Sequence, residues 1–129
     1  MAEAGVIGYK VFMGETVGNI PAPDDGQLLE ALTLIAEIGL RTAVHAENDA
    51  IMQHQIRKLK GLGRTDPRAH RDSRPVVAEV ESITRLITFA RYSGAKIHIC
   101  HLSSGDGADA IAAAKAAGID VTADRKSVV

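Results

Sequence analysis

The chain repeats one unit: a short apolar run of strand character, a loop, then a longer stretch with helical spacing. Residues 5–12 are rich in β-branched and aromatic types, which makes them a buried strand. Residues 41–45, 96–101 and 119–122 read the same way. Between them, Leu28, Leu32, Ile35 and Ala36 recur at helical spacing, as do Val76, Val80, Ile83, Ile87 and Ala90. Residues 46–62 form another helical stretch, with Ile51, Ile56 and Leu59 as its apolar residues. A last helix turns Ala108, Ile111 and Ala112 inward. Strands that alternate with helices pair in parallel through right-handed crossovers. Two architectures satisfy that rule: an open doubly wound sheet, or part of a (β/α)₈ barrel. A whole barrel takes about 250 residues. This chain has 129, with four strand candidates, so it is a small open sheet or a piece of a barrel.

Punctuation residues agree with this order. Pro21, Pro23 and Gly26 mark the first loop, and Asp24 or Asp25 can cap the helix after it. Gly39, Gly94 and Gly118 stand where helices should stop, Pro75 suits a first turn, and Ser103 or Ser104 can cap the last helix. Residues 61–75 are polar and rich in Gly, Pro and Arg, which predicts a long surface excursion. It reads either as a solvated loop, with Arg64, Arg68, Arg71 and Arg74 as surface charge, or as a loop over the barrel mouth or at an oligomer contact.

Composition narrows the partners. With 46% apolar and 24% charged residues the chain is of ordinary soluble type. A net charge of −1 leaves no electrostatic footprint for nucleic acid or an anionic membrane. No apolar run is long enough to cross a bilayer, and Met1-Ala2-Glu3-Ala4 shows no signal-peptide pattern. The single cysteine, Cys100, excludes an internal disulfide framework. The expectation is a cytoplasmic α/β domain with no nucleic-acid or membrane partner.

Three strand runs finish on chemically capable residues: Lys10, His45 and His101. Parallel α/β proteins assemble their chemistry at the carboxyl ends of strands, so the three point to one site. Strand alternation puts Lys10 on a face with Gly8, His45 with Ala43, and His101 with Ile99 and Ile97. It sends His98 and Cys100 toward the helices as structural residues. An ammonium buried beside two imidazoles is unstable and would repel any metal they hold. Two remedies exist. The lysine can lose its proton and act as a Schiff-base nucleophile. Or it can take up carbon dioxide as a carbamate, an anionic ligand able to bridge two cations beside zinc-binding imidazoles. Such a two-metal site hydrolyses amides.

Four motifs in order carry a resemblance. Gly8-Tyr9-Lys10-Val11-Phe12-Met13 resembles the carboxylated-lysine strand of the cyclic amidohydrolases, the group of allantoinase, dihydroorotase and dihydropyrimidinase (hydantoinase). Val44-His45-Ala46-Glu47-Asn48 and His98-Ile99-Cys100-His101-Leu102-Ser103-Ser104 resemble their next two metal-histidine strands. Ser73-Arg74-Pro75-Val76-Val77-Ala78-Glu79-Val80-Glu81 resembles the family's connecting segment. The resemblance implies a partial metal-dependent (β/α)₈ TIM barrel, the middle segment from about the fourth strand to the start of the seventh. It implies that Lys10, as carbamate, bridges two divalent ions, most simply zinc, and that His45 and His101 bind the second. The family's first histidine pair and its general-acid/base aspartate fall outside such a segment. The substrate is then a small cyclic amide and the whole protein a homo-oligomer. The segment alone is expected to be inactive and poorly folded, because an open barrel exposes sheet edges and apolar faces.

Details of sequence bear on the ring. Hydantoinase-type members place a tyrosine shortly after the lysine, where it stabilises an oxyanion. Here Met13-Gly14-Glu15-Thr16 has none. The Lys10 motif and residues 20–29 look closer to allantoinases and allantoinase-like dihydroorotases. Glu15 is read either as a solvated loop residue or as a selector of a substrate bearing a donor or a cation. Glu47 and Asn48 directly follow His45 and are candidates to position it by hydrogen bonds. The rival readings are a Schiff-base aldolase barrel, a non-catalytic α/β binding module and a barrel relative without metals. His54 and His70 receive no role.

Asp124-Arg125-Lys126-Ser127-Val128-Val129 breaks the pattern, turning basic where a strand end should follow. The codons GAT-CGG-AAG-AGC-GTC-GTG would encode it, and they spell a common sequencing-adapter sequence. Residues 1–123 are therefore read as the partial barrel domain and residues 124–129 as a non-native read-through tail.

Overall fold

The computed structural model describes residues 2–14 and 21–125. Strands β1 (Gly8–Phe12), β2 (Arg41–His45), β3 (Lys96–Leu102) and β4 (Val121–Arg125) form one parallel sheet in the order β1-β2-β3-β4. Helices α1 (Asp25–Glu37), α2 (Asp49–Gly61), α3 (Pro67–Asp72), α4 (Val76–Ser93) and α5 (Gly105–Ala116) fill the connections. A strand order that never reverses has a consequence. Right-handed crossovers that always step the same way put every helix on one face. A doubly wound sheet reverses its order and covers both faces. The fold is therefore the singly wound, barrel type.

Burial follows that asymmetry. Val44, Ile97, Ile99 and Val121 point into the helix layer, against Leu28, Leu32, Ile83, Leu86 and Ile111. The other face carries Lys10, Arg41, Ala43, His45, His98 and Thr122. Within this chain the uncovered face mixes these polar side chains with Phe12 and Ala43.

The caps explain where the helices begin. Asp24 accepts from the Gln27 N–H at 2.8 Å while Gln27 Oε1 accepts from the Asp24 N–H at 3.0 Å, a reciprocal capping box on α1. Asn48 caps α2, Asp66 caps α3 and Ser104 caps α5. Gly94 ends α4 at φ 73°, a conformation that a side chain would strain.

Three expectations need adjustment. Residues 61–75 are not a plain loop, because Pro67–Asp72 forms α3, which packs on α2 and is clamped by Arg64 through Asp66 and Asp72. In α2 the buried apolar residue is Met52, while Ile51, Ile56 and Leu59 are only half-buried. The inward stripe of α4 is rotated from Val76 and Val80 to Ala78, Glu79, Ser82, Ile83, Leu86, Ile87 and Ala90. Val76 lies at the free start of the helix and is exposed. Among the described residues no helix is long and apolar enough to cross a membrane.

Candidate functional site

Register places the site residues in rows across the uncovered face. Lys10 pairs with Ala43, which pairs with His98; one row further along, Phe12 pairs with His45. Lys10 spans the two rows. Its Nζ lies 4.9 Å from the Phe12 ring centroid and donates to Cys100 Sγ at 2.9 Å. Within this chain Lys10 is exposed, so the expected burial of its ammonium is not met.

The face assignment of β3 is corrected. Ile97 and Ile99 enter the helix core, so His98 and Cys100 share the face of Lys10 and His45. Simple alternation would then bury His101 in the helix layer. Instead His101 adopts φ 44°, and the β3–β4 register shifts between Ile99 and Leu102. The break in alternation swings its ring against that of His45, with centroids 4.6 Å apart. His98 is held by Thr122 Oγ1 at 2.8 Å.

The two histidines meet nitrogen to nitrogen: His45 Nδ1 lies 2.8 Å from His101 Nε2. On its far side, His45 Nε2 lies 2.7 Å from Glu47 Oε2. An ionised carboxylate only accepts, so His45 carries a proton on Nε2 and turns Nδ1 toward His101. The hydrogen bond from His45 holds the Glu47 carboxyl below its usual pKa, against the opposing effect of burial, and Arg74 (3.8 Å away) assists. Burial and then repulsion by His45 push the His101 imidazole below its usual pKa.

Other candidates separate from this pair. Asn48 accepts from the Ile51 N–H as the α2 cap and donates to Glu81 at 2.5 Å, so it ties β2's loop to α4. Glu15 lies outside the described residues. Glu79 was not singled out from sequence, yet it is only 9% exposed and takes hydrogen bonds from Ser103 and Ser104, just past His101. A carboxylate inside an apolar helical stripe was the available signal, since such a group demands donors.

Among the described residues no group of three or more His, Cys, Asp or Glu converges on a metal position. The histidine pair nevertheless suits one. Two nitrogens on a tetrahedral zinc, each at about 2.0–2.1 Å, stand about 3.3–3.4 Å apart. The observed 2.8 Å needs to open by only about half an ångström. One of the two rings is fixed by a carboxylate partner in the way metal-binding imidazoles are.

No family model matches the chain. Individual relatives do. An allantoinase from Solibacter usitatus is 43% identical over 122 residues, covering 94% of this chain and 27% of that protein. An allantoinase from Rubrobacter xylanophilus is 41% identical over 125 residues, covering 96% of this chain and 28% of that protein. Among solved structures, the L-hydantoinase (dihydropyrimidinase) of Arthrobacter aurescens superposes with a TM-score of 0.92 at 34% identity, over 97% of this chain and 28% of that one. The D-hydantoinase of a Thermus species gives 0.86 at 33% identity, over 94% and 26%. The chain thus spans a little over a quarter of the length of each relative it matches.

Proposed function

We propose that this chain, a stretch of a cyclic amidohydrolase by sequence and by fold, forms part of a metal-dependent hydrolase that opens the ring of a small cyclic amide. Among such rings an allantoin-like ureide is favoured, because the relatives at 41–43% identity are allantoinases. The observation that carries the reading is the His45–His101 nitrogen pair, held at the carboxyl rim of a singly wound sheet by Glu47. A Schiff-base reading of Lys10 leaves that pair without purpose.

In this reading His45, His101 and Lys10, the last carboxylated on Nζ, would be the residues of this chain that hold the divalent ions. Such ions polarise a ring carbonyl and activate water. Everything else is done by the chain. Glu47 fixes the tautomer of His45 and, with its negative charge, raises the ring's basicity. The αL turn at His101 points the second imidazole at the first. Phe12 covers one side of Lys10 and His45, with ring centroids 5.6 Å apart in the Phe12–His45 pair. The remaining strands of a closed barrel would bury Lys10, removing the hydration that favours an ammonium over a carbamate. The first histidine pair and the general-acid/base aspartate belong to those strands. Residues 124–129 are proposed to be a non-native tail, of which Asp124 and Arg125 close β4 and Asp124 accepts from the His101 N–H. The whole protein is proposed to be cytoplasmic and homo-oligomeric.

The solved neighbours named hydantoinase or dihydropyrimidinase keep a second ring in play at 30–34% identity. The test is the full-length protein, purified with bicarbonate and assayed on allantoin, dihydroorotate and hydantoin side by side, with bound metal counted. Roughly two ions per chain, lost in Lys10→Ala, with turnover of allantoin supports the reading. No metal and no turnover of any ring refutes it.

A further inference from the structure

We infer that Glu79 is a positioning residue for His101, acting from the helix layer through the Ser103-Ser104 pair. The inference rests on the site reading above. His101 is a non-glycine residue at φ 44°, and such a conformation persists only where its surroundings enforce it. Its own N–H donates to Asp124 Oδ1 of β4, and a second restraint lies immediately downstream. Glu79 Oε1 accepts from the Ser103 N–H at 2.9 Å and from Ser103 Oγ at 2.8 Å. Glu79 Oε2 accepts from Ser104 Oγ, the hydroxyl that also caps α5 by accepting from the Gly107 N–H at 3.1 Å. Both oxygens of a nearly buried carboxylate are thus spent on two consecutive residues. Among the described residues no cation lies within ion-pair distance of it, so its partners are the serines and not a surface charge.

The pinning is double. A Cβ on Gly107 would stand 2.8 Å from Leu102 Cδ1 and 3.0 Å from Ile83 Cδ1, so α5 begins in direct contact with α4, one turn past Glu79. The chain between β3 and α5 turns sharply at His101 on its way to Glu79. Freed from Glu79, residues 101–104 can relax to extended backbone. Alternation would then carry the His101 ring away from His45.

The experiment uses the full-length protein and two readouts. In metal-free protein, imidazole ¹⁵N shifts report whether His45 Nδ1 accepts from His101 Nε2–H. In a second measurement, Zn²⁺ affinity is read by chelator competition. Glu79→Gln keeps an acceptor for Ser103 and can donate to Ser104 Oγ, so both readouts stay within about threefold of wild type. Glu79→Ala is expected to lose the ring–ring signature and to weaken zinc about 10–100-fold. Ser103→Ala and Ser104→Ala, each missing one donor, fall between; they carry the test if Glu79→Ala does not fold. A Glu79→Ala protein that melts earlier but keeps both rings and its zinc overturns the inference. So does a Glu79→Gln protein as damaged as Glu79→Ala. If wild-type protein binds no zinc, the functional reading fails, and the ¹⁵N signature alone decides the role of Glu79.

Discussion

Removing the Glu47 carboxylate tests the histidine pair most directly. Glu47 makes one strong contact, 2.7 Å to His45 Nε2, and a weaker one, 3.8 Å to Arg74. A hydrogen bond to a charged acceptor contributes roughly 1.5–3 kcal/mol. The full amount will not appear, because the side chains of His45 and Glu47 retain 23% and 19% exposure, and water can replace the lost acceptor. A loss near the lower end, about 1.4 kcal/mol or tenfold in zinc affinity, is the expectation for Glu47→Ala. Glu47→Gln can still accept from Nε2–H, so it keeps the tautomer and loses only the charge; its loss should be smaller, about threefold. The assay is chelator competition on the full-length protein at fixed pH, with melting temperature recorded in parallel. Zinc affinity within twofold of wild type in Glu47→Ala would refute the claim that Glu47 prepares His45. A loss in Glu47→Gln equal to that in Glu47→Ala would show that charge, and not the fixed tautomer, is what matters.

Other outcomes follow from the same geometry. In metal-free protein, Glu47 and His101 both have folded-state pKa values below their unfolded ones. Each therefore binds fewer protons folded than unfolded, and its stabilising effect is complete above the unfolded value and lost as pH falls through the folded one. Urea unfolding should show stability declining from about pH 6.5 downward on account of His101, and again below about pH 4.3 on account of Glu47; a flat profile over pH 4–7 would contradict both. Gly107→Ala gains some helix propensity but forces a Cβ to within 2.8 Å of Leu102 Cδ1 and 2.9 Å of Ser104 Oγ. A net destabilisation of about 1–2 kcal/mol is expected by urea titration, and an unchanged or raised midpoint would show that the α4–α5 contact is slack. Ile97→Ala removes a fully buried side chain from the helix-facing side of β3 and should cost about 2–5 kcal/mol, whereas His98→Ala on the uncovered face should cost less than about 1 kcal/mol. Equal costs would overturn the assignment of faces in β3.

The sheet was legible because its signal is local. Each strand is a short apolar run set off by turn residues, and every helix but α4 begins on a side-chain cap. The faces of β3 were not legible. Ile97, Ile99, His98 and Cys100 alternate cleanly, but alternation cannot say which set meets the helices. The assumption that His101 obeys it placed all four on the wrong sides. A left-handed residue inside a strand end leaves no mark in sequence when it is histidine and not glycine. The stripe of α4 slid by a residue or two for a related reason. Val76 and Val80 are apolar, but Glu79 and Ser82 are the ones turned inward: Glu79 bonds to Ser103 and Ser104 past β3, and Ser82 to Glu81 and Arg85 of its own helix. Hydrophobic periodicity is blind to polar residues buried for their hydrogen bonds.

Those buried carboxylates suggest how the site is built. His45 is fixed by Glu47, whose other oxygen faces Arg74 from the segment leading into α4. The turn after His101 is fixed by Glu79, within α4 itself. The loop after His45 is tied to α4 twice more, by the Asn48 N–H on the Ala78 carbonyl at 2.9 Å and by Asn48 on Glu81. Both imidazoles thus take their orientation from one helix that lies behind the sheet and does not front the uncovered face. A layer packed around Ile83 and Leu86, both fully buried, holds the two nitrogens together. Elsewhere on the uncovered face, Arg41 bonds to Asp120 and His98 to Thr122, and neither bonds to the two imidazoles. On the proposed function, the metal pair and the choice of ring are separable: substitutions among the rim loops should alter which ring is opened, while substitutions at Glu47, Glu79 or Asn48 should alter metal binding for every ring alike. Parallel kcat/KM measurements on allantoin and hydantoin would show it. A Glu79→Ala protein that changed the ratio between the two substrates, and not only their common level, would mean that the helix layer also shapes the substrate pocket.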